Sequence, residues 1–179
     1  MLLLCSDGLT SPSLVEAVRS QVAGMHAAAL VVTADNQYKE NNYHVPRCTA
    51  ELESIGLLVT PFDVDMRPAA ELLSFDVVEF IGGNPFYLLD ALRRAEAKPV
   101  LDVLARDRLL IGWSAAAIVF GPTLALVNRY SPELNTVGLQ ELTALGLTDV
   151  QVLPHYSRFL SRFVNFEATC AAYERETGC

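Results

Sequence analysis

The chain has 179 residues with 13 basic and 21 acidic side chains, a formal charge of −8 at pH 7 and a sequence pI near 4.8. Its 51% hydrophobic and 19% charged content, with a mean hydropathy of +0.29, is too apolar for a disordered chain and long enough for one sizeable core, so it reads as one domain. Net acidity, two lysines in all (Lys39 and Lys98) and no basic run exclude nucleic acid and anionic membrane as partners, since both demand clustered Lys and Arg.

Residues 2–5 read as a strand, and the absence of a basic residue before Arg19 argues against a signal peptide, so a cytoplasmic location is expected. Ser11 caps a helix over 11–22, with Pro12 in the first turn where its missing N–H costs nothing. A second strand covers 28–33, and 35–44 is polar and loop-like. A helix over 45–55 stops at Gly56. Strand three covers 57–62, a short helix 68–73 and strand four 77–81. Residues 85–95 form an amphipathic helix with Leu88, Leu89 and Leu92 at helical spacing.

The uncharged window 109–127, between Arg108 and Asn128, is nominally long enough to span a membrane, but Gly112, Ser114, Gly121, Pro122 and Thr123 interrupt it. It reads instead as a fifth strand over 109–112, a tight turn and a buried helix from about Ala115. A turn at Gly121-Pro122, a loop through Tyr130-Ser131-Pro132, a strand over 150–153 and a helix over 162–176 complete the chain. Cys5, Cys48, Cys170 and Cys179 are scattered without CxxC spacing, as expected of reduced, structural thiols.

The apolar runs, each read as buried on both sides, alternate with helical segments and predict an α/β fold with an open, doubly wound parallel sheet. In such sheets chemistry gathers at the carboxyl ends of the strands. Those positions hold Ser6-Asp7-Gly8, Ala34-Asp35-Asn36, Asp63 and Asp65, Gly82-Gly83-Asn84, Gly112-Trp113-Ser114 and Pro154-His155-Tyr156.

Ser114 sits in Gly112-Trp113-Ser114-Ala115-Ala116 after an apolar strand and before an Ala-rich helix start, the setting of a nucleophile elbow of the G-x-S-x-G type. The structural alternative is a plain N-cap. His155 follows the strand over 150–153, so a hydroxyl and an imidazole fall at two strand ends, as acyl transfer requires. Gly82-Gly83-Asn84 offers backbone N–H groups for an oxyanion, or merely a strain-free βα turn. Neither G-x-G-x-x-G nor a P-loop is present. Of the other histidines, His26 reads as structural and His44 as a loop residue that could line a pocket. No two histidines share metal-ligand spacing, so neither a metal nor a cofactor is expected.

In combination, residues 80–89 (Phe-Ile-Gly-Gly-Asn-Pro-Phe-Tyr-Leu-Leu), Gly112-Trp113-Ser114-Ala115-Ala116-Ala117 and Pro154-His155-Tyr156 resemble the motifs of the dipeptidase E family of serine peptidases, to which aspartyl dipeptidase and, more distantly, cyanophycinase belong. The resemblance runs through the whole chain. It implies a three-layer sandwich of the flavodoxin-like, class I glutamine-amidotransferase-like kind, and often a homodimer. It further implies Ser114 as nucleophile, His155 as general base, and the backbone N–H groups of Ala115 and of Gly83 or Gly82 as oxyanion donors. Gly82, Asn84 and Arg158 are the substrate-binding candidates.

Two departures stand out. Ala116 replaces the motif's second glycine. No residue matches the family's acidic partner of the histidine, for which Glu133 and Asp149 are substitutes by sequence proximity alone. A relay aspartate about fifteen residues after the serine would fall near Arg129. The implied organisation is a single peptidase domain over 1–179 that lacks its last C-terminal strands. The expected activity is hydrolysis of short peptides by a Ser-His-acid mechanism with a covalent acyl-enzyme, with a preference for N-terminal Asp if Arg158 or Arg162 meets the carboxylate. A catalytically impaired member that binds a small acidic metabolite or peptide is the alternative. An amidotransferase would instead want cysteine at position 114.

Overall fold

Short runs of Leu, Val and Ala cannot leave their backbone polar groups unpaired in a core, and here five of them pair into one parallel sheet. The computed structural model describes residues 1–178. The strands are β1 (Leu2–Cys5), β2 (Ala27–Val31), β3 (Leu58–Phe62), β4 (Val77–Phe80) and β5 (Leu109–Trp113), and their order across the sheet is β3-β2-β4-β5-β1. That is the flavodoxin order 2-1-3-4-5 with this chain's first strand standing in the place of the fifth. All four pairings are parallel, and β1 lies against β5 with Cys5 opposite Trp113.

The helices are α1 (Pro12–Gln21), α2 (Val45–Ser54), α3 (Pro85–Arg94), α4 (Lys98–Asp107), α5 (Ala115–Val119), α6 (Ala125–Tyr130), α7 (Tyr156–Arg162) and α8 (Phe166–Thr177). One face of the sheet packs Leu30, Val77, Ile81 and Ile111 against α1 and α2 through Val18, Cys48 and Leu52. The other packs Val31, Val78, Phe80 and Leu110 against α3, α4 and α5 through Leu88, Leu92, Leu104 and Val119. This is the expected three-layer sandwich. A satellite cluster of Tyr130, Phe166 and Tyr173 joins α6 to α8.

Local signals placed several boundaries. Ser11 Oγ accepts from Leu14 N–H at the start of α1, and Gly56, at φ 95°, follows α2. Asn84 caps α3 by accepting from Phe86 and Tyr87 N–H at 2.9 and 3.1 Å.

Other expectations need correction. Residues 150–153 form no strand: they pair with no ladder, Val150 is 56% exposed, and Leu153 packs onto the cores formed with α6 and α8 instead. The helix expected over 162–176 starts later, as α8 at Phe166, and Arg162 instead ends α7, a helix not expected, with the break marked by Asn165 turning left-handed at φ 66°. Helices α4 and α6 and the 3-10 turns Lys39–Asn41 and Pro132–Leu134 were not foreseen, and the helix from Ala115 ends at Val119. Burial on both sides holds for β4 and β5 but fails at the edges, where β1 is half-buried and Leu58 of β3 is 74% exposed. The uncharged window 109–127 divides into β5, α5 and α6. Among the described residues no helix is long and apolar enough to cross a membrane. Cys179 lies outside the described residues.

Candidate active site

The turn from β5 into α5 has to be tight, and small residues make it so. A Cβ on Gly112 would lie 2.6 Å from the Phe120 ring, and one on Gly82 would lie 2.6 Å from the Trp113 ring and 2.9 Å from Ser114 Cβ. Ser114 occupies the corner at φ 52°, ψ −112°, a backbone conformation unfavourable for a non-glycine residue, and its side chain caps nothing. The plain N-cap alternative is therefore set aside. Ala116, where the motif has glycine, is fully buried in α5 within the α3–α5 core.

Ser114 Oγ lies 2.8 Å from His155 Nε2. His155, half-buried and itself left-handed at φ 62°, immediately precedes α7. A hydroxyl at that distance from an imidazole nitrogen can pass its proton along the contact. Burial holds the imidazole below its usual 6.5; the Asp7 carboxylate pulls it up and the Arg158 guanidinium pulls it down.

The other face of the ring meets a residue to which the sequence assigned no role. Ser6 Oγ accepts from the His155 backbone N–H at 2.9 Å and stands 3.3 Å from Nδ1. Among the described residues no carboxylate hydrogen-bonds Nδ1. Glu133 faces Arg162 at 3.8 Å, Asp149 lies in a separate hollow near α8, and Arg129 pairs with Glu176. Neither proposed substitute for the acid reaches the histidine.

Two hollows meet at this pair. One of about 250 Å³ runs from Gly83, Ser114 and Ala115 to Leu134, Phe159 and Arg162. One of about 480 Å³ opens toward Asp35, Tyr43, His44 and Trp113. Gly83, Ser114, His155 and Arg158 border both. Gly83 takes a backbone (φ 156°) in which a Cβ would lie 2.3 Å from Ala34 O, and Asn84 N–H bonds that same carbonyl at 2.8 Å. Gly83 and Ala115 N–H groups find no acceptor within the protein among the described residues, as expected at a free turn and at a helix start.

Of the remaining candidates, Asn84 borders the larger hollow, but its side chain is spent on capping α3 and on Leu134 O at 2.7 Å. Gly82 packs against Trp113. Arg158 enters no ion pair among the described residues. His44, edge-on to Trp113 with ring centroids 5.0 Å apart, lines the larger hollow, and the His26 N–H is bound by Asp76.

One group of ligand atoms lies close enough to suit a metal, Cys48, Glu51 and Glu79, all within 4.8 Å of one another on the α2 side of the sheet. Burial raises the Cys48 thiol to about 12 and the Glu79 carboxyl to about 8, which keeps both neutral. Glu51 is already bound by Arg47 and by Leu9 N–H.

The profile of peptidase family S51 matches residues 2–179. An uncharacterised peptidase of Listeria monocytogenes is 34% identical over 124 residues, 66% of this chain and 60% of its own length. Peptidase E of Escherichia coli is 31% identical over 144 residues, 80% of this chain and 61% of its own. The chain thus spans about three fifths of the length of the curated relatives it matches. Among solved structures, a putative peptidase E protein of Listeria monocytogenes superposes with a TM-score of 0.78 at 27% identity, covering 96% of this chain and 86% of that one. A peptidase from an acI-B1 actinobacterium, at 21% identity and a TM-score of 0.66, shares the fold over 93% of this chain and 72% of its own.

Proposed function

The chain belongs to peptidase family S51, and from that premise we propose that it is a serine-type peptidase acting on short peptides. The observation that carries the reading is the 2.8 Å contact between His155 Nε2 and the hydroxyl of Ser114 on its strained corner. Ser114 Oγ attacks the peptide carbonyl carbon while its proton moves to His155 Nε2. The carbonyl oxygen becomes an oxyanion, met by the free N–H groups of Gly83 and Ala115. Collapse breaks the C–N bond, and the proton held on Nε2 passes to the leaving amine. Water, deprotonated by the same nitrogen, then attacks the acyl carbon, and the C–O bond to Ser114 breaks as the proton on Nε2 returns to Ser114 Oγ.

The two hollows on either side of the pair suit one or two residues on each side of the scissile bond. Arg158, bordering both and without an ion partner among the described residues, supports a preference for a substrate carboxylate, as an N-terminal Asp would supply.

The test is a dipeptide panel with and without N-terminal Asp, combined with a serine-directed organophosphonate. The reading expects the reagent to label Ser114 and cleavage to vanish in Ser114→Ala. No labelling and no cleavage, with acidic ligands still raising the melting temperature, would favour the binding-only alternative. Equal turnover of both dipeptide sets would remove the aspartyl preference alone.

A further inference from the structure

We infer that Ser6 is a positioning residue for His155, holding its backbone N–H and standing against the Nδ1 side of the imidazole. The inference rests on the serine-peptidase reading of Ser114 and His155 and adds to it.

The sheet register brings the residue there. Cys5 pairs with Trp113, and Ser114 N–H donates to Cys5 O at 3.0 Å, so the residue that follows β1 emerges beside the residue that follows β5. His155, carried in between α6 and α7 from far along the chain, is flanked by two hydroxyls, Ser114 on Nε2 and Ser6 on Nδ1.

Ser6 acts on both the backbone and the ring of His155. It accepts the His155 N–H at 2.9 Å, which helps retain a left-handed backbone that a non-glycine residue adopts only under constraint. It also stands 3.3 Å from Nδ1.

The second contact has a chemical consequence. For Nε2 to take the Ser114 proton its lone pair must be free, so the ring proton must sit on Nδ1 and needs an acceptor there. A hydroxyl oxygen has two acceptor positions, one for the backbone N–H and one for Nδ1–H. The reverse arrangement, with Ser6 O–H donating to Nδ1, would put the ring proton on Nε2 and aim it at Ser114. A carboxylate forbids that reverse arrangement; a hydroxyl permits it. Ser6 is therefore a weaker orienter than an acid. The charged groups around the ring, Asp7 from the loop after β1 and Arg158 from α7, act on it from a distance and in opposite directions.

The experiment uses the full chain as wild type, Ser6→Ala, Ser6→Thr and Ser6→Asp, with Ser114→Ala as control. Ser6 is exposed, so these changes leave the core intact. Two readouts are taken: the rate at which the organophosphonate labels Ser114 as a function of pH, and the ¹⁵N shifts of the His155 ring, which report its tautomer.

Ser6→Ala is expected to slow labelling about tenfold, the scale of one lost hydrogen bond, and to shift the His155 tautomer balance toward Nε2–H. Ser6→Thr, which keeps the hydroxyl, is expected to restore both. Ser6→Asp is expected to fix the Nδ1–H tautomer and to move the acid limb of the labelling profile to higher pH. Labelling and tautomer unchanged in Ser6→Ala, while Ser114→Ala is silent, would overturn the inference and leave the peptidase reading standing. A Ser6-dependent tautomer in a protein that never labels would do the reverse.

Discussion

Among the described residues Glu79 is the one carboxyl fully inside the sheet, and replacing it with glutamine is expected to make the protein more stable, increasingly so as the pH rises. It alternates with Val77 and Ile81 on the face that packs against α1 and α2, it is 0% exposed, and neither carboxylate oxygen has a hydrogen-bond partner. Burial, then the charge of Glu51, lifts its pKa from the usual 4.5 to about 8; the Trp113 indole and Arg47 pull the other way. An acid whose folded pKa is raised favours folding only while it is protonated. Stability is therefore full below pH 4.5 and falls until about pH 8, where it levels off.

At 1.36 kcal/mol per pKa unit the whole loss is about 5 kcal/mol, of which about 3 kcal/mol has accrued at pH 7 and under about 1 kcal/mol at pH 5. A neutral glutamine of the same shape keeps the packing and removes the titration. Urea unfolding of wild type and Glu79→Gln at pH 5 and pH 8 measures the effect, because every other titrating group is common to both proteins. The advantage of the variant is expected to grow by about 3–4 kcal/mol between the two pH values. An advantage that stays constant across that interval would refute the account of Glu79 as a buried, protonated acid.

Three further expectations concern the candidate site. Gly83→Ala forces a Cβ to 2.3 Å from Ala34 O on a backbone that resists it, and is expected to cost about 2–3 kcal/mol, read as a melting-temperature drop of about 5–10 °C together with loss of cleavage. Arg158→Ala is expected to raise KM about tenfold for dipeptides with an N-terminal Asp and to leave neutral dipeptides unchanged; an equal effect on both would detach Arg158 from substrate charge. The base must be neutral to act, and burial holds His155 low, so kcat/KM is expected to fall with acid only through a pH below 6.5. An acid limb above 6.5 would contradict the burial of His155.

Much of this molecule is legible in local sequence because the physics involved is local. Apolar runs of four or five residues separated by helical periodicity specify buried parallel strands, and Ser11, Gly56 and Asn84 mark helix ends through bonds made within three residues or through a single positive φ. The run over 150–153 looks the same on paper, yet it pairs with no strand, and its leucine packs, partly buried, onto the clusters formed with the helices instead. The break between α7 and α8 depends on Asn165 turning left-handed so that Phe166 reaches Tyr130, a contact across 36 residues that periodicity does not contain. Among the candidate site residues, Ser114, His155, Gly83 and Ala115 were legible from their motifs, whereas Asn84 was legible only as a residue of interest, its side chain proving to be a cap.

The sequence by itself determined the alternation of strand and helix, the tight Gly112–Ser114 corner and the identity of the hydroxyl and imidazole, since each follows from residue size, backbone freedom and donor type within a few positions. The tertiary structure alone decided that β1 lies beside β5, and with it that Ser6 meets His155 while no described carboxylate does. It also decided that Glu79 points into the closed face of the sheet. Those outcomes depend on which strand edges pair and which face is covered, quantities set by contacts 30 to 150 residues apart, on which the order of amino acids near any one of these residues has no bearing.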